Sequence, residues 1–197
     1  MKRKAEVKRK TKETDINLSL IIDGSGKSNI KTGIPFFDHM LTLFAKHGIF
    51  DLKLTAKGDI EVDYHHTVED VGICLGQAVK KALGKKAGIE RFGEGKARVP
   101  MDESLAEVSI DISGRPHLTY NVKPPASETD KFSIELVEEF FNAFMLNAGV
   151  TVHVDLIRGK NSHHMKEAIF KAFAVALSRA CQISPRKKGV PSTKGTL

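Results

Sequence analysis

A chain of 197 residues, 41% hydrophobic and 28% charged, has an ordinary globular composition and the length for one domain or two small halves sharing a core. No apolar run approaches the roughly 20 residues that span a bilayer, and the basic start Met1-Lys2-Arg3-Lys4 lacks the apolar stretch of a secretory signal, so the expectation is a cytoplasmic protein. The formal charge of +7 points to an anionic partner; nucleic acid, an acidic surface and a phosphorylated small molecule stay open, and the scarcity of aromatics for stacking bases leans to the last.

Residues 5–12 and 15–22 read as two strands, the second with Ile16, Leu18, Leu20 and Ile22 alternating with polar positions. Asp23-Gly24-Ser25-Gly26 makes a turn. The spacing of Phe37, Leu41 and Phe44 predicts a helix over 36–46, with Pro35 in its first turn and Gly48 past its end. Phe50, Leu52 and Leu54 mark a strand, and a second helix, with Val68, Val71, Leu75 and Val79 inward, runs to Leu83-Gly84. The order then returns. Strands are predicted at 104–112 and 116–122, a loop with two prolines at 123–129, and a helix at 132–147 striped by Leu136, Phe140 and Phe144 and stopped by Gly149. Val150, Val152, Val154 and Leu156 form a strand. A last helix, capped by Ser162 or Asn161, carries Ile169, Phe173 and Leu177 and ends near Cys181. Cys74 and Cys181 lie on helices with no CxxC pattern and read as buried thiols of a reducing compartment.

This is an α+β fold built by internal duplication of a strand-strand-helix-strand-helix unit. The first repeat is 1–88 and the second 89–184, sharing one core, and 185–197 is a basic Pro/Gly-rich tail that composition alone reads as a loose end.

One motif occurs in both halves: His65-His66-Thr67-Val68-Glu69 and His163-His164-Met165-Lys166-Glu167, each opening a helix. Residues four apart share a helix face, so His65 pairs with Glu69 and His163 with Glu167. His66 and His164 are rotated by roughly 100° and serve a different site. One copy is no more than a short motif, which surface histidine pairs also satisfy. Two copies in matched places make the inventory for a pair of metal ions. Imidazole and carboxylate ligands suit zinc, manganese, iron, cobalt or nickel without choosing among them. His39, at the start of the first repeat's early helix, is the best further donor. Its counterpart falls within Glu138-Glu139-Phe140-Phe141, where the chain offers Glu139. His47, His117 and His153 lack such placement and read as surface or hydrogen-bonded histidines.

The segments Pro35-Phe36-Phe37-Asp38-His39-Met40-Leu41, His65-His66-Thr67-Val68-Glu69-Asp70, Ser113-Gly114-Arg115-Pro116, Gly159-Lys160-Asn161-Ser162-His163-His164 and the tail Pro191-Ser192-Thr193-Lys194-Gly195 resemble those of imidazoleglycerol-phosphate dehydratase, the dehydratase of histidine biosynthesis. The likeness runs through essentially the whole chain and leaves no stretch for the phosphatase domain of bifunctional relatives. It implies helices layered between two four-stranded sheets (ribosomal protein S5 domain 2-like). It also implies a homo-oligomeric shell of 24 subunits built from trimers, with two Mn2+ per active site shared between subunits.

Carried over, the resemblance gives one metal His39, His65, Glu69 and His164. The other takes His66, His163 and Glu167, with Glu139 where many relatives have histidine. The implied reaction converts D-erythro-imidazole glycerol phosphate to imidazole acetol phosphate and water, through a metal-held imidazolate and a diazafulvene-like intermediate. Glu13 and Glu167 are the implied proton carriers, with Glu13 favoured because Glu167 is committed to an ion. Read without the family, Glu13 is a solvated charge. The implied phosphate contacts are Arg91, Arg115, Lys171, Ser192 and Lys194; the arginines offer planar forks, the lysines point charges. Glu13, His39, His65, Glu69 and His163 also line the implied substrate site. The resemblance places 94–98 in a segment about two residues longer than in some relatives. A di-metal hydrolase and an RNA-binding protein are the rival readings, and neither accounts for the paired motifs in a duplicated frame.

Overall fold

The computed structural model describes residues 3–93, 97–123 and 131–197. Most of the predicted loop at 123–129, part of the insertion at 94–98 and the first two residues lie outside these. The first half runs β1 (Lys4–Lys10), β2 (Thr14–Ile21), β3 (Ser28–Lys31), α1 (Pro35–Gly48), β4 (Asp51–Gly58) and α2 (His65–Leu83). The second runs β5 (Ala97–Met101), β6 (Ser104–Asp111), β7 (His117–Asn121), α3 (Ile134–Ala148), β8 (Thr151–Arg158) and α4 (Ser162–Cys181). Each half therefore places three strands, not two, before its first helix. The additional strands are β3, which is exposed apart from half-buried Ile30, and β5, which carries Pro100. Both are edge strands, where alternation is weak and proline is tolerated.

The two sheets have the same order, β1-β2-β4-β3 and β5-β6-β8-β7. Their registers correspond as well: Leu18 lies between Val7 and Leu54, and Val108 between Ala97 and Val154. The helices fill the space between the sheets. α2 packs on the first sheet and α4 on the second, while α1 lies against α4 and α3 against α2. Helix pairing thus crosses from one half to the other. A single buried cluster draws Leu18, Leu54 and Phe44 from the first half and Val108, Phe141 and Phe173 from the second. Phe173 packs edge-on to Phe141 and Phe144, with centroids 4.9 Å apart in both pairs.

The helix ends follow local chemistry. Asn161, not Ser162, caps α4; its side-chain oxygen accepts from the amides of His163 (2.9 Å) and His164 (3.3 Å). Gly149 ends α3 in the left-handed region, as predicted. At the end of α1 the expectation is overturned. Gly48 is still helical and Ile49 takes the left-handed turn at φ 57°. Gly48 is needed for space, since a Cβ there would lie 2.3 Å from the Phe50 ring. Among the described residues no helix is long and apolar enough to cross a membrane. Both thiols are buried, and burial pushes Cys74 up to about 11 and Cys181 up to about 12.

Candidate active site

The cap at Asn161 starts α4 so that His163 and Glu167 stand one turn apart. His163 Nε2 donates to Glu167 Oε1 over 2.9 Å, and His39 Nε2, arriving from α1, donates to the same oxygen over 3.0 Å. The carboxylate accepts only, so both ring nitrogens carry protons here. Lys171, one further turn along α4, donates to Glu167 Oε2 at 2.5 Å. The ligand atoms of His39, His163 and Glu167 all lie within 4.8 Å of one another, on a buried carboxylate flanked by exposed imidazoles. Burial pushes the Glu167 carboxyl up. The hydrogen bonds from Lys171, His39 and His163 outweigh it and hold the group at about 2.

A hollow of about 220 Å³ opens beside this cluster, lined by Ile34, Phe36, Tyr64, Lys131, Phe132 and His163. The Phe36 ring meets His163 edge-on at 5.0 Å. Lys166, buried where α2 has Val68, donates to the Phe132 carbonyl and so ties down the hollow's wall. Tyr64 immediately precedes His65, so both motif helices begin at this hollow.

On α2 the corresponding pair is open: His65 Nε2 and Glu69 Oε2 stand 3.8 Å apart, beyond hydrogen-bond range. The buried positions of α1 and α3 match one for one, Phe37 with Val137, Met40 with Phe140, Leu41 with Phe141 and Phe44 with Phe144. That register sets Glu139 at the place of His39. His66 turns away from Glu69: its Nδ1 donates to Asp59 Oδ2 at 3.0 Å, and its Nε2 lies 4.0 Å from Glu13 Oε1. Glu13 sits in the β1–β2 turn, which is fastened to α2 because buried Asp70 accepts from Thr14 Oγ1 and from Arg9 Nε. His164 likewise turns to Glu103 Oε2 through Nδ1 (2.7 Å), with Nε2 3.6 Å from Asp102 Oδ2.

Within one chain neither expected ligand set is assembled. His39 joins His163 and Glu167 rather than His65, Glu69 and His164, because α1 packs against α4 and not against α2. His66 and His164 each face carboxylates of their own half. His117 and His153 stay exposed and apart from both, with His117 bonded to Thr119, whereas exposed His47 lies near enough to Lys171 and Glu167 for their charges to act on it. Asp59 and Glu103 were not singled out from the sequence. Glu103 becomes visible only once β5 is recognised, because it then falls at the same turn as Glu13.

The phosphate candidates divide between two places. Lys171 belongs to the Glu167 cluster. Arg91 is bidentate to Asp111, Nε to Oδ1 at 2.7 Å and Nη2 to Oδ2 at 3.1 Å, and its Nη1 donates to the Pro191 carbonyl at 2.8 Å. The tail is therefore held to the body and is not a loose end. Gly88 N–H donates to the Gly189 carbonyl (2.7 Å), and Gly114 lies so close to Leu197 that a Cβ would come within 2.6 Å of its carbonyl carbon. This brings Ser192, Lys194 and the Gly114-Arg115 turn to the same side as Arg91, with the Lys194 amide bonded to Ser192 Oγ.

The family model for imidazoleglycerol-phosphate dehydratase matches residues 32–177. The imidazoleglycerol-phosphate dehydratase of Geobacter metallireducens is 57% identical over the full length of both chains. That of Caldanaerobacter subterraneus subsp. tengcongensis is 60% identical over 99% of this chain and all of its own. Among solved structures, imidazoleglycerol-phosphate dehydratase from Staphylococcus aureus superposes with a TM-score of 0.81 at 42% identity, over 92% of this chain and 99% of the other. The IGPD of Pyrococcus furiosus gives 0.83 at 39% identity, over 97% and 100%. With matched sheets, crossed helix pairs and both His-His-x-x-Glu motifs in place, the chain belongs to the imidazoleglycerol-phosphate dehydratase family.

Proposed function

We propose that this chain converts D-erythro-imidazole glycerol phosphate to imidazole acetol phosphate and water in histidine biosynthesis, working in the cytoplasm as a manganese-dependent shell of 24 copies built from trimers. The observation that carries the reading is the convergence of His39 and His163 on one oxygen of Glu167, with Lys171 on the other. Two imidazoles and a carboxylate with donor atoms this close suit a first-row divalent cation, which would replace the two ring protons. His39, His163 and Glu167 would hold one such ion. His65, Glu69 and Glu139 offer a second, more anionic set, and His66 and His164 complete shells across copies. Bound between such sets, the cations would hold the substrate's imidazole ring as its anion and spread the charge that builds during reaction.

The remaining work falls to the chain's own groups. The proton to be removed is not next to a carbonyl, so its loss depends on a base held close and on electron density from the ring. Glu13 takes this role, because its carboxylate is exposed beside His66 and hydrogen-bonded to no side chain among the described residues. The hydroxyl leaves from the ring-side carbon, Glu13 removes the proton from the next carbon and passes it to the departing hydroxide as water, and the resulting enol becomes the ketone. Lys171, with Arg115, Ser192 and Lys194, supplies the cationic and polar contacts for phosphate. Arg91 fastens the tail that presents two of them.

The test follows ketone formation from imidazole glycerol phosphate by the manganese-loaded protein and by Glu13→Gln. Turnover by the wild type, and a fall of about 10²–10⁴-fold in E13Q with substrate affinity retained, are expected. Phosphate release without ketone would overturn the reading. Near-normal turnover in E13Q would move the base elsewhere.

A further inference from the structure

Glu13 and Glu103 are duplicates of one another. Each lies in the turn between the first two strands of its half, immediately before Thr14 at the start of β2 or Ser104 at the start of β6. Each ends beside the second histidine of its own half's motif. Their contacts have diverged. Glu13 reaches only to 4.0 Å from His66 Nε2. Glu103 is fully engaged: Oε2 accepts from His164 Nδ1 at 2.7 Å, and Oε1 accepts from the Asn161 amide at 2.8 Å, the Lys160 amide at 3.2 Å and Ser104 Oγ at 3.2 Å.

The reason lies at the ends of β4 and β8. After β4 comes Asp59, whose Oδ2 accepts the Nδ1 proton of His66 at 3.0 Å. After β8 comes Gly159, which has no carboxylate and no room for one. A Cβ there would lie 2.5 Å from Met165 Cγ and 2.8 Å from Ser104 Oγ. In the second half another residue must therefore hold the imidazole.

We infer that Glu103 is the positioning residue of His164, fixing its proton on Nδ1 so that Nε2 alone is offered as a ligand, and that Asp59 does the same for His66 and so leaves Glu13 free to act as the base. A carboxylate accepts only, so the nitrogen it touches must carry the hydrogen, and the other nitrogen then turns its lone pair outward.

The inference rests on the proposed role of His164 in metal binding, and the experiment separates the two. Mn2+ affinity of the full-length assembly is measured from the EPR signal of free Mn2+ for wild type, Glu103→Ala, Glu103→Gln and Glu13→Gln. E103A should bind about 10–100-fold more weakly. E103Q should weaken binding as well, because Glu103 accepts through both oxygens and glutamine leaves an N–H against either His164 Nδ1 or the Asn161 and Lys160 amides; E13Q should bind as wild type. Pulsed EPR on E103Q should also report a shifted remote-nitrogen coupling of bound imidazole, because Nδ1 has then lost its carboxylate; this reading stands even if E103A does not fold. An unchanged coupling in E103Q, or an unchanged affinity in either Glu103 variant, would overturn the inference. Wild type that takes up no Mn2+ would instead remove the metal reading beneath it.

Discussion

Three donors on one buried carboxylate, two imidazoles and an ammonium, tie Glu167 down. The Lys171 ammonium and two imidazoles replace the water that burial removes, and the carboxyl is held at about 2 against an ordinary 4.5. A depressed carboxylate contributes stability that is fully present above its unfolded value and is lost as pH falls towards the folded one. A shift of this size corresponds to on the order of 3 kcal/mol. In the metal-free protein the denaturant midpoint should therefore fall as pH drops from about 5 to about 2. Glu167→Gln should be less stable at neutral pH and should flatten that limb. Urea titrations across this range decide it, and an equally steep limb in the variant would place the acid sensitivity elsewhere.

At the scale of elements, the site depends on which helices meet. α2 and α3 approach through Gly72 and Gly76. A Cβ at Gly72 would lie 2.7 Å from the Phe140 carbonyl oxygen, and one at Gly76 2.5 Å from that of Phe144. Backbone atoms cannot swing aside as a side chain can. Gly72→Ala should destabilise by about 1–3 kcal/mol through overpacking, exceeding the roughly 1 kcal/mol that alanine returns in helix propensity. It should also displace Glu139 relative to His65, so uptake at the proposed second metal set should weaken alongside stability. A more stable variant in chemical denaturation would show that the helices have slack.

Much of this scale was legible in the sequence. The alternation in β2 and β6, the apolar stripes of all four helices and the repeat of the His-His-x-x-Glu motif follow directly from burial on one face. The edge strands β1 and β7 were legible but β3 and β5 were not, because β3 is exposed nearly throughout and β5 contains proline. Nor was the pairing of α1 with α4, which is a tertiary choice that periodicity within a helix does not encode. That one choice sends His39 to Glu167. Missing β5 also hid Glu103, since the turn that carries it had no recognised strand before it. The left-handed Ile49 ran against expectation because Gly48 is required for a ring contact instead.

At the scale of the whole molecule, each chain presents scattered candidate ligands. One cluster closes on His39, His163 and Glu167, while His65 and Glu69 stand apart and His66 and His164 aim their Nε2 atoms away from it. Copies related by symmetry complete such half-sites without any new residue, and ions held between copies then become part of the assembly's stability. Stripping divalent ions with a chelator at neutral pH should reduce the proposed shell to smaller species, seen by sedimentation velocity, and abolish turnover. Returning Mn2+ should restore both together. The order of recovery is informative as well: with the proposed ligand sets spanning copies, activity should rise with the large species and not ahead of it. An intact, active particle after complete removal of metal would refute sites shared between copies.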